Sequence, residues 1–129
     1  MARIFVIGPP SDPLVVGLLD GWCRGLLNNG HEVYRARMFP DPFENDHGIS
    51  SLERDCDALV DADEVHILYD PDDEESLLYL GMLLAFLYLG HRKKVVLINS
   101  VAYTMGPSLA NVLRALERGY PFEREGPTS

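Results

Sequence analysis

The sequence is short of several things, and each shortage removes a class of function. Only two of its 129 residues are cysteine, Cys23 and Cys56. They are too few and too far apart for a disulfide scaffold or a four-ligand zinc site, and they read as reduced core residues. Positive charge is scarce: 11 Lys and Arg stand against 20 Asp and Glu, a formal net charge of −9. That balance argues against duplex nucleic acid, because binding phosphates along a polymer needs a basic footprint that releases counterions. Small anions stay open, since backbone amides and helix N-termini hold them without net positive charge. Long apolar runs are missing too. Leu77 to Leu89 is the most apolar stretch, and it falls short of the ~20 residues that span a bilayer. The apolar start Ile4 to Ile7 is broken by Gly8, Pro9 and Pro10 before a signal-peptide core can form. The expectation is a cytoplasmic protein with no membrane span.

What is present is an ordinary globular balance, 47% hydrophobic and 24% charged, at a length that makes one domain the default. Arg3 to Ile7 is a β-branched and aromatic run suited to a strand buried on both faces. Asp12 as N-cap and Pro13 at the first helical position start a helix. Its apolar face is predicted at Leu14, Leu18, Trp22 and Leu26, and Asn29-Gly30 stops it. His31 to Arg35 reads as a second strand, and Met38 to Gly48 as a long loop. Ile49, Leu52, Cys56, Leu59 and Val60 keep helical spacing, which predicts a helix over 50–62. Glu64 to Tyr69 follows as a third strand, Glu74 to Gly90 as a third helix, Lys94 to Ile98 as a fourth strand, and Leu109, Val112, Leu113 and Leu116 mark a last helix. Residues 1–118 form the predicted domain, with 119–129 a loose tail.

Strands alternating with helices predict a single doubly wound α/β domain, a flavodoxin- or Rossmann-like parallel sheet of four to five strands with helices on both faces. The third helix is apolar nearly all round, so it must bury two sides, one of them against another helix or a second subunit. Ligands in such sheets collect beyond the carboxyl ends of the strands. Here those ends carry Gly8 to Asp12, Ala36 to Phe43, Asp70 to Glu75, and Asn99 to Met105.

The first of these loops has neither the dinucleotide fingerprint nor the phosphate loop ending in Gly-Lys-Ser/Thr, so NAD binding and ATP hydrolysis are not expected. It still sets Gly8, Pro9, Ser11 and Asp12 where a helix begins, enough to receive a sugar or a phosphate. The plainer reading keeps Asp12 as a cap and the prolines as a turn. Asp70, Asp72, Asp73, Glu74 and Glu75 crowd six positions. Crowded carboxylates raise one another's pKa and can set an acid beside a base, but acids at a helix start are also a routine stabilising device. EF-hand spacing is absent, and neither metal nor cofactor is expected. His66 reads as a core residue, His31 and His91 as turn residues, and His47 as the one site histidine. Ser100 lacks a nucleophile-elbow context.

Taken in order, Ile4-Phe-Val-Ile-Gly-Pro, Arg54-Asp-Cys-Asp-Ala-Leu-Val-Asp-Ala-Asp-Glu-Val, Asp73-x-x-Ser-x-x-Tyr-Leu-Gly-x-x-x-Ala85 and Lys94-Val-Val-Leu-Ile make a pattern. It resembles the nucleoside 2-deoxyribosyltransferase superfamily, which also contains hydrolases of the N-glycosidic bond in nucleoside 5'-monophosphates. The likeness covers strand one and most of 50–98. Members have an Asp-x-Gly-Thr-x-x-Glu-Leu-Gly segment entering the third helix. Asp73, Ser76, Leu80, Gly81 and Ala85 match it, whereas Glu75 stands where glycine is usual and Tyr79 where the family keeps its nucleophilic glutamate.

The resemblance implies a small-molecule nucleoside or nucleotide as ligand. It implies a homo-oligomer, which the apolar third helix fits. The aspartate's implied role, assisting the departing base, falls on Asp73. Three readings of the missing glutamate stay open. Glu75, four residues before Tyr79, shares its helix face and projects a carboxylate to the same space. Alternatively Tyr79 is itself a nucleophile with a carboxylate as base, as in sialidases. In the third reading catalysis is gone and a nucleotide-binding or regulatory module remains. The expected site is Asp73, Glu75 and Tyr79 for chemistry, with Gly8, Pro9, Ser11, Asp12, Ser76 and Asn99 for binding.

Overall fold

The structure, a computed structural model, describes residues 1–9, 13–36 and 48–124. The elements run β1 (Arg3–Ile7), α1 (Pro13–Asn28), β2 (Glu32–Arg35), α2 (Ile49–Asp61), β3 (Glu64–Ile67), α3 (Glu74–Tyr88), β4 (Lys94–Leu97) and α4 (Leu109–Glu117). Type and order are as expected, with strand and helix ends moved by a residue or two. Among the described residues the sheet has four strands in the order β2-β1-β3-β4. All pairings are parallel, with Phe5 opposite both Tyr34 and Val65. The order reverses between β1 and β3, so the crevice of this doubly wound sheet opens above those two strands.

Alternation along the strands divides the core in two. Phe5, Ile7, Val65, Ile67 and Val95 face Leu59 of α2, Tyr79, Leu80 and Leu83 of α3 and Leu113 of α4. Ile4 and Val6 face Leu19 and Cys23 of α1. Three helices therefore cover one face and α1 the other. His66 is a satisfied core histidine, as expected. Its Nδ1 accepts from Trp22 Nε1–H at 2.9 Å and its Nε2 lies 3.1 Å from Glu64 Oε1, which ties α1 to β3.

The buried stripes of two helices differ from the sequence reading. Leu14 and Leu18 of α1 are exposed, Leu14 by 85%, and the helix instead buries Leu19 and Cys23. A helix so rich in leucine, valine and glycine offers two phases of apolar spacing, and the register with β1 selects between them. In α2, Ile49 and Leu52 are exposed, and the buried stripe is Ser51, Asp55 and Leu59. Two polar residues on a core face defeat a search for apolar period.

Gly119 and Tyr120 bond back to α4, and residues 122–124 lie against the end of α3. Arg124 N–H donates to the Tyr88 carbonyl at 2.8 Å and the Phe122 and Tyr88 rings are 5.6 Å apart. No helix among the described residues is long and apolar enough to cross a membrane.

Candidate functional site

β1 ends at Ile7, and Gly8 and Pro9 follow it onto the rim of the crevice. The need for glycine there is one of space. A Cβ on Gly8 would stand 2.6 Å from Cδ1 of Leu19, which is itself buried. Ser11 and Asp12, the other expected binders in this loop, lie outside the described residues, as do His47 and most of the 38–48 loop.

On the other side of the crevice, β3 leads through an acidic turn into α3. Asp70 builds the turn: its carboxylate accepts from Asp72 N–H at 2.9 Å and its carbonyl from Asp73 N–H at 3.2 Å. Asp73 is the N-cap residue of α3, and its carboxylate accepts a hydrogen bond from the Ser76 hydroxyl one turn on. Two residues expected at the site thus touch. Ser76 is buried, Glu75 is exposed on the first turn, and Tyr79 follows one turn below Glu75, itself buried at 4% exposure. Pro9 follows β1 and Asp73 follows β3, and because these two strands are adjacent and parallel both residues lie beyond the same, carboxyl, edge of the sheet.

Asn99, past the end of β4, uses its side chain inside the protein. Its Oδ1 accepts from Tyr69 N–H and its Nδ2 donates to the Tyr69 carbonyl, each at 2.9 Å. It laces the loop leaving β3 to the loop leaving β4.

The arrangement around Tyr79 was not legible in the sequence. Its hydroxyl donates to Asp55 Oδ2 at 2.5 Å, and the Tyr34 hydroxyl donates to Asp55 Oδ1 at 2.6 Å. Asp55 has no solvent exposure. The Phe5 ring lies against both phenols, 5.4 Å from Tyr34 and 6.1 Å from Tyr79 by centroids. Burial, then the hydrogen bond to Asp55 and the Asp55 and Glu75 charges, push the Tyr79 phenol well above the ordinary tyrosine value. Tyr79 is therefore neutral at rest, its hydroxyl proton directed at the Asp55 carboxylate. The signal that could have found Asp55 is its spacing from Ser51 and Leu59, four residues each way, which places it on one stripe with a residue that must be buried.

No family model matches the sequence, and no curated protein matches it. Solved structures do. A 2-deoxyribosyltransferase from Bacillus psychrosaccharolyticus superposes with a TM-score of 0.61 at 12% identity, covering 96% of this chain and 99% of that one. The CMP N-glycosidase of Clostridium botulinum superposes at 0.58 with 18% identity, covering 95% and 85%. The chain has the fold of these two enzymes. At such identities the likeness is one of architecture, and it extends over nearly the whole length of this chain. In that fold the chain places Asp73 and Ser76 at the start of α3 beside the crevice, with Tyr79 on the next turn bonded to a buried carboxylate.

Proposed function

We propose that this protein binds a nucleoside or nucleotide in the crevice between β1 and β3 and acts on its N-glycosidic bond. The observation that carries this reading is the Tyr79–Asp55 hydrogen bond, set one turn below the Asp73–Ser76 pair in a chain whose structural neighbours are a deoxyribosyltransferase and a CMP N-glycosidase. A resting phenolate is ruled out by the raised pKa, so the phenol can attack only if its proton leaves in the same step. Asp55 is placed to take it. Tyr79 Oη bonds to the anomeric carbon while its proton passes to Asp55. The carbon–nitrogen bond breaks with its electron pair going to the base, which is protonated by Asp73 or by water. Water or an acceptor base then attacks the anomeric carbon and gives up its proton to the Asp73 carboxylate, while the departing Tyr79 oxygen recovers its proton from Asp55. Gly8 and Pro9 line the sugar side, and Ser76 fixes the Asp73 carboxylate. Glu75, exposed on the same face, is the competing nucleophile.

A second reading, binding without turnover, is favoured by the near-complete burial of Tyr79. One experiment separates the readings. The protein is incubated with 2'-deoxynucleosides and their 5'-monophosphates, free base is followed by chromatography, and melting temperature is followed in parallel. Base release that disappears in Tyr79→Phe and persists in Glu75→Gln supports the phenol, and the reverse pattern assigns Glu75. A raised melting temperature with no base supports binding alone. Neither response from any of these compounds overturns the proposal.

A further inference from the structure

The cluster around Asp55 holds one phenol that the proposed reaction leaves idle. Tyr34 lies on β2, directly opposite Phe5 in the register with β1. Its ring stacks on the Phe5 ring at 5.4 Å with 23° between the planes, and Phe5 has no solvent exposure. A strand and a buried ring therefore fix the Tyr34 hydroxyl, which donates to Asp55 Oδ1 at 2.6 Å. The other oxygen, Oδ2, accepts from Tyr79 of α3 at 2.5 Å. Gripped at both oxygens, the carboxylate cannot turn about its Cβ–Cγ bond without breaking a hydrogen bond. The titratable groups acting on the Tyr79 phenol are Asp55 of α2, Glu75 of its own helix and Tyr34 of β2, while β1 presents the Phe5 ring.

Asp55 has two opposite tasks in the proposed reaction. It draws the proton from Tyr79 during attack and returns it when Tyr79 departs. A carboxylate that is too basic performs the first task and fails the second. A hydrogen bond donated to a carboxylate favours its charged form, so the Tyr34 bond tempers the base and favours the return of the proton. Tyr34 keeps its own proton through both steps. We propose that Tyr34 is a positioning residue for this reaction: its hydroxyl holds the Asp55 carboxylate with Oδ2 toward Tyr79 and governs how strongly that oxygen draws the phenolic proton. This rests on the proposed function, with Tyr79 as nucleophile and Asp55 as its base, and deepens it. The competing role for Tyr34 is purely structural, a bond that ties β2 to α2.

The test has two arms. In the first, base release from 2'-deoxynucleosides and their 5'-monophosphates is measured against pH for three proteins, each below its melting temperature: the native chain, Tyr34→Phe, and a chain with 3-fluorotyrosine in place of Tyr34. Tyr34→Phe keeps a ring on Phe5 and loses the hydroxyl. Its kcat is expected to fall about tenfold, a fraction of what a placed base contributes, with KM changed by less than about twofold. The acid limb of its rate profile moves up by about one pH unit, the size of one lost hydrogen bond to a charged group. Fluorination makes the phenol a stronger donor without removing the bond, so the limb moves down in the third protein. Acid limbs that coincide in all three overturn the proposal. In the second arm, the Tyr79 hydroxyl proton is followed by ¹H NMR and assigned by its disappearance in Tyr79→Phe. It moves downfield in Tyr34→Phe, where Asp55 accepts more strongly, and upfield with 3-fluorotyrosine. An unmoved resonance overturns the proposal and leaves Tyr34 a structural tie. If the native protein releases no base from any of these compounds, the nucleophile reading has failed, and the hydroxyl resonance alone decides whether Tyr34 governs the bond between Asp55 and Tyr79.

Discussion

One carboxylate, that of Asp55, accepts both the Tyr79 hydroxyl at 2.5 Å and the Tyr34 hydroxyl at 2.6 Å, and so joins α2 to α3 and to β2 within a buried cluster. Removing either phenol leaves a buried oxygen without its donor. Tyr79→Phe and Tyr34→Phe are each expected to cost about 1–3 kcal/mol in urea denaturation. Because the two bonds end on one carboxylate, the double variant departs from the sum of the single losses by about 0.5 kcal/mol or more. Additive losses would show that the cluster does not act as a unit.

The raised Tyr79 pKa gives a signature at high pH. The unfolded phenol titrates near 10.0 and the folded one above it. Between those values the native state holds the extra proton, so the stability from this group is complete below pH 10 and is lost as pH rises beyond it. Tyr79→Phe is expected to flatten that part of the stability profile relative to the native protein. Equal slopes above pH 10 in the two proteins would contradict the burial of this phenol.

Returning the glutamate that the family resemblance puts at position 79 is expected to harm the fold. Tyr79→Glu sets a second carboxylate against the buried Asp55, and like charges there raise the pKa of the pair. The loss is expected at about 3 kcal/mol or more near neutrality, in the range of an uncompensated buried charge. It shrinks toward pH 4, where protonation of the raised group removes the repulsion. Melting curves at the two pH values read this directly, and a loss that does not depend on pH would exclude the charge argument.

Two glycines of the resemblance are expected to respond in opposite directions. Gly8→Ala drives a Cβ into Leu19 in a packed core and is expected to cost about 1–3 kcal/mol. Gly81 is exposed inside α3 with nothing within 4 Å of an added Cβ. Gly81→Ala is expected to raise stability by about 0.5–1 kcal/mol through helix propensity. Denaturant midpoints check both.

The alternation of β-branched runs with helical spacing carried the order of all eight elements, because those periods are properties of the local chain. Prolines and glycines marked Pro13 and the end of α1 for the same reason. The facing of α1 and α2 was another matter. Leu14 and Leu18 are as apolar as Leu19, and only the packing of β1 says which turns inward. Asp55 carries the same formula in solution as Asp57, and only the two phenols brought from β2 and α3 make its burial tolerable. Asp73 and Ser76 were legible because their relation is one helical turn. The Asp55 partnership was not, because it joins residues 21 and 24 positions apart.

The bond pair between Asn99 and Tyr69 has a mechanical side. A single amide grips both the donor and the acceptor of one peptide position, so neither loop can slip past the other without breaking two bonds at once. The lip of the cleft on the β3 and β4 side therefore behaves as a stiff bracket.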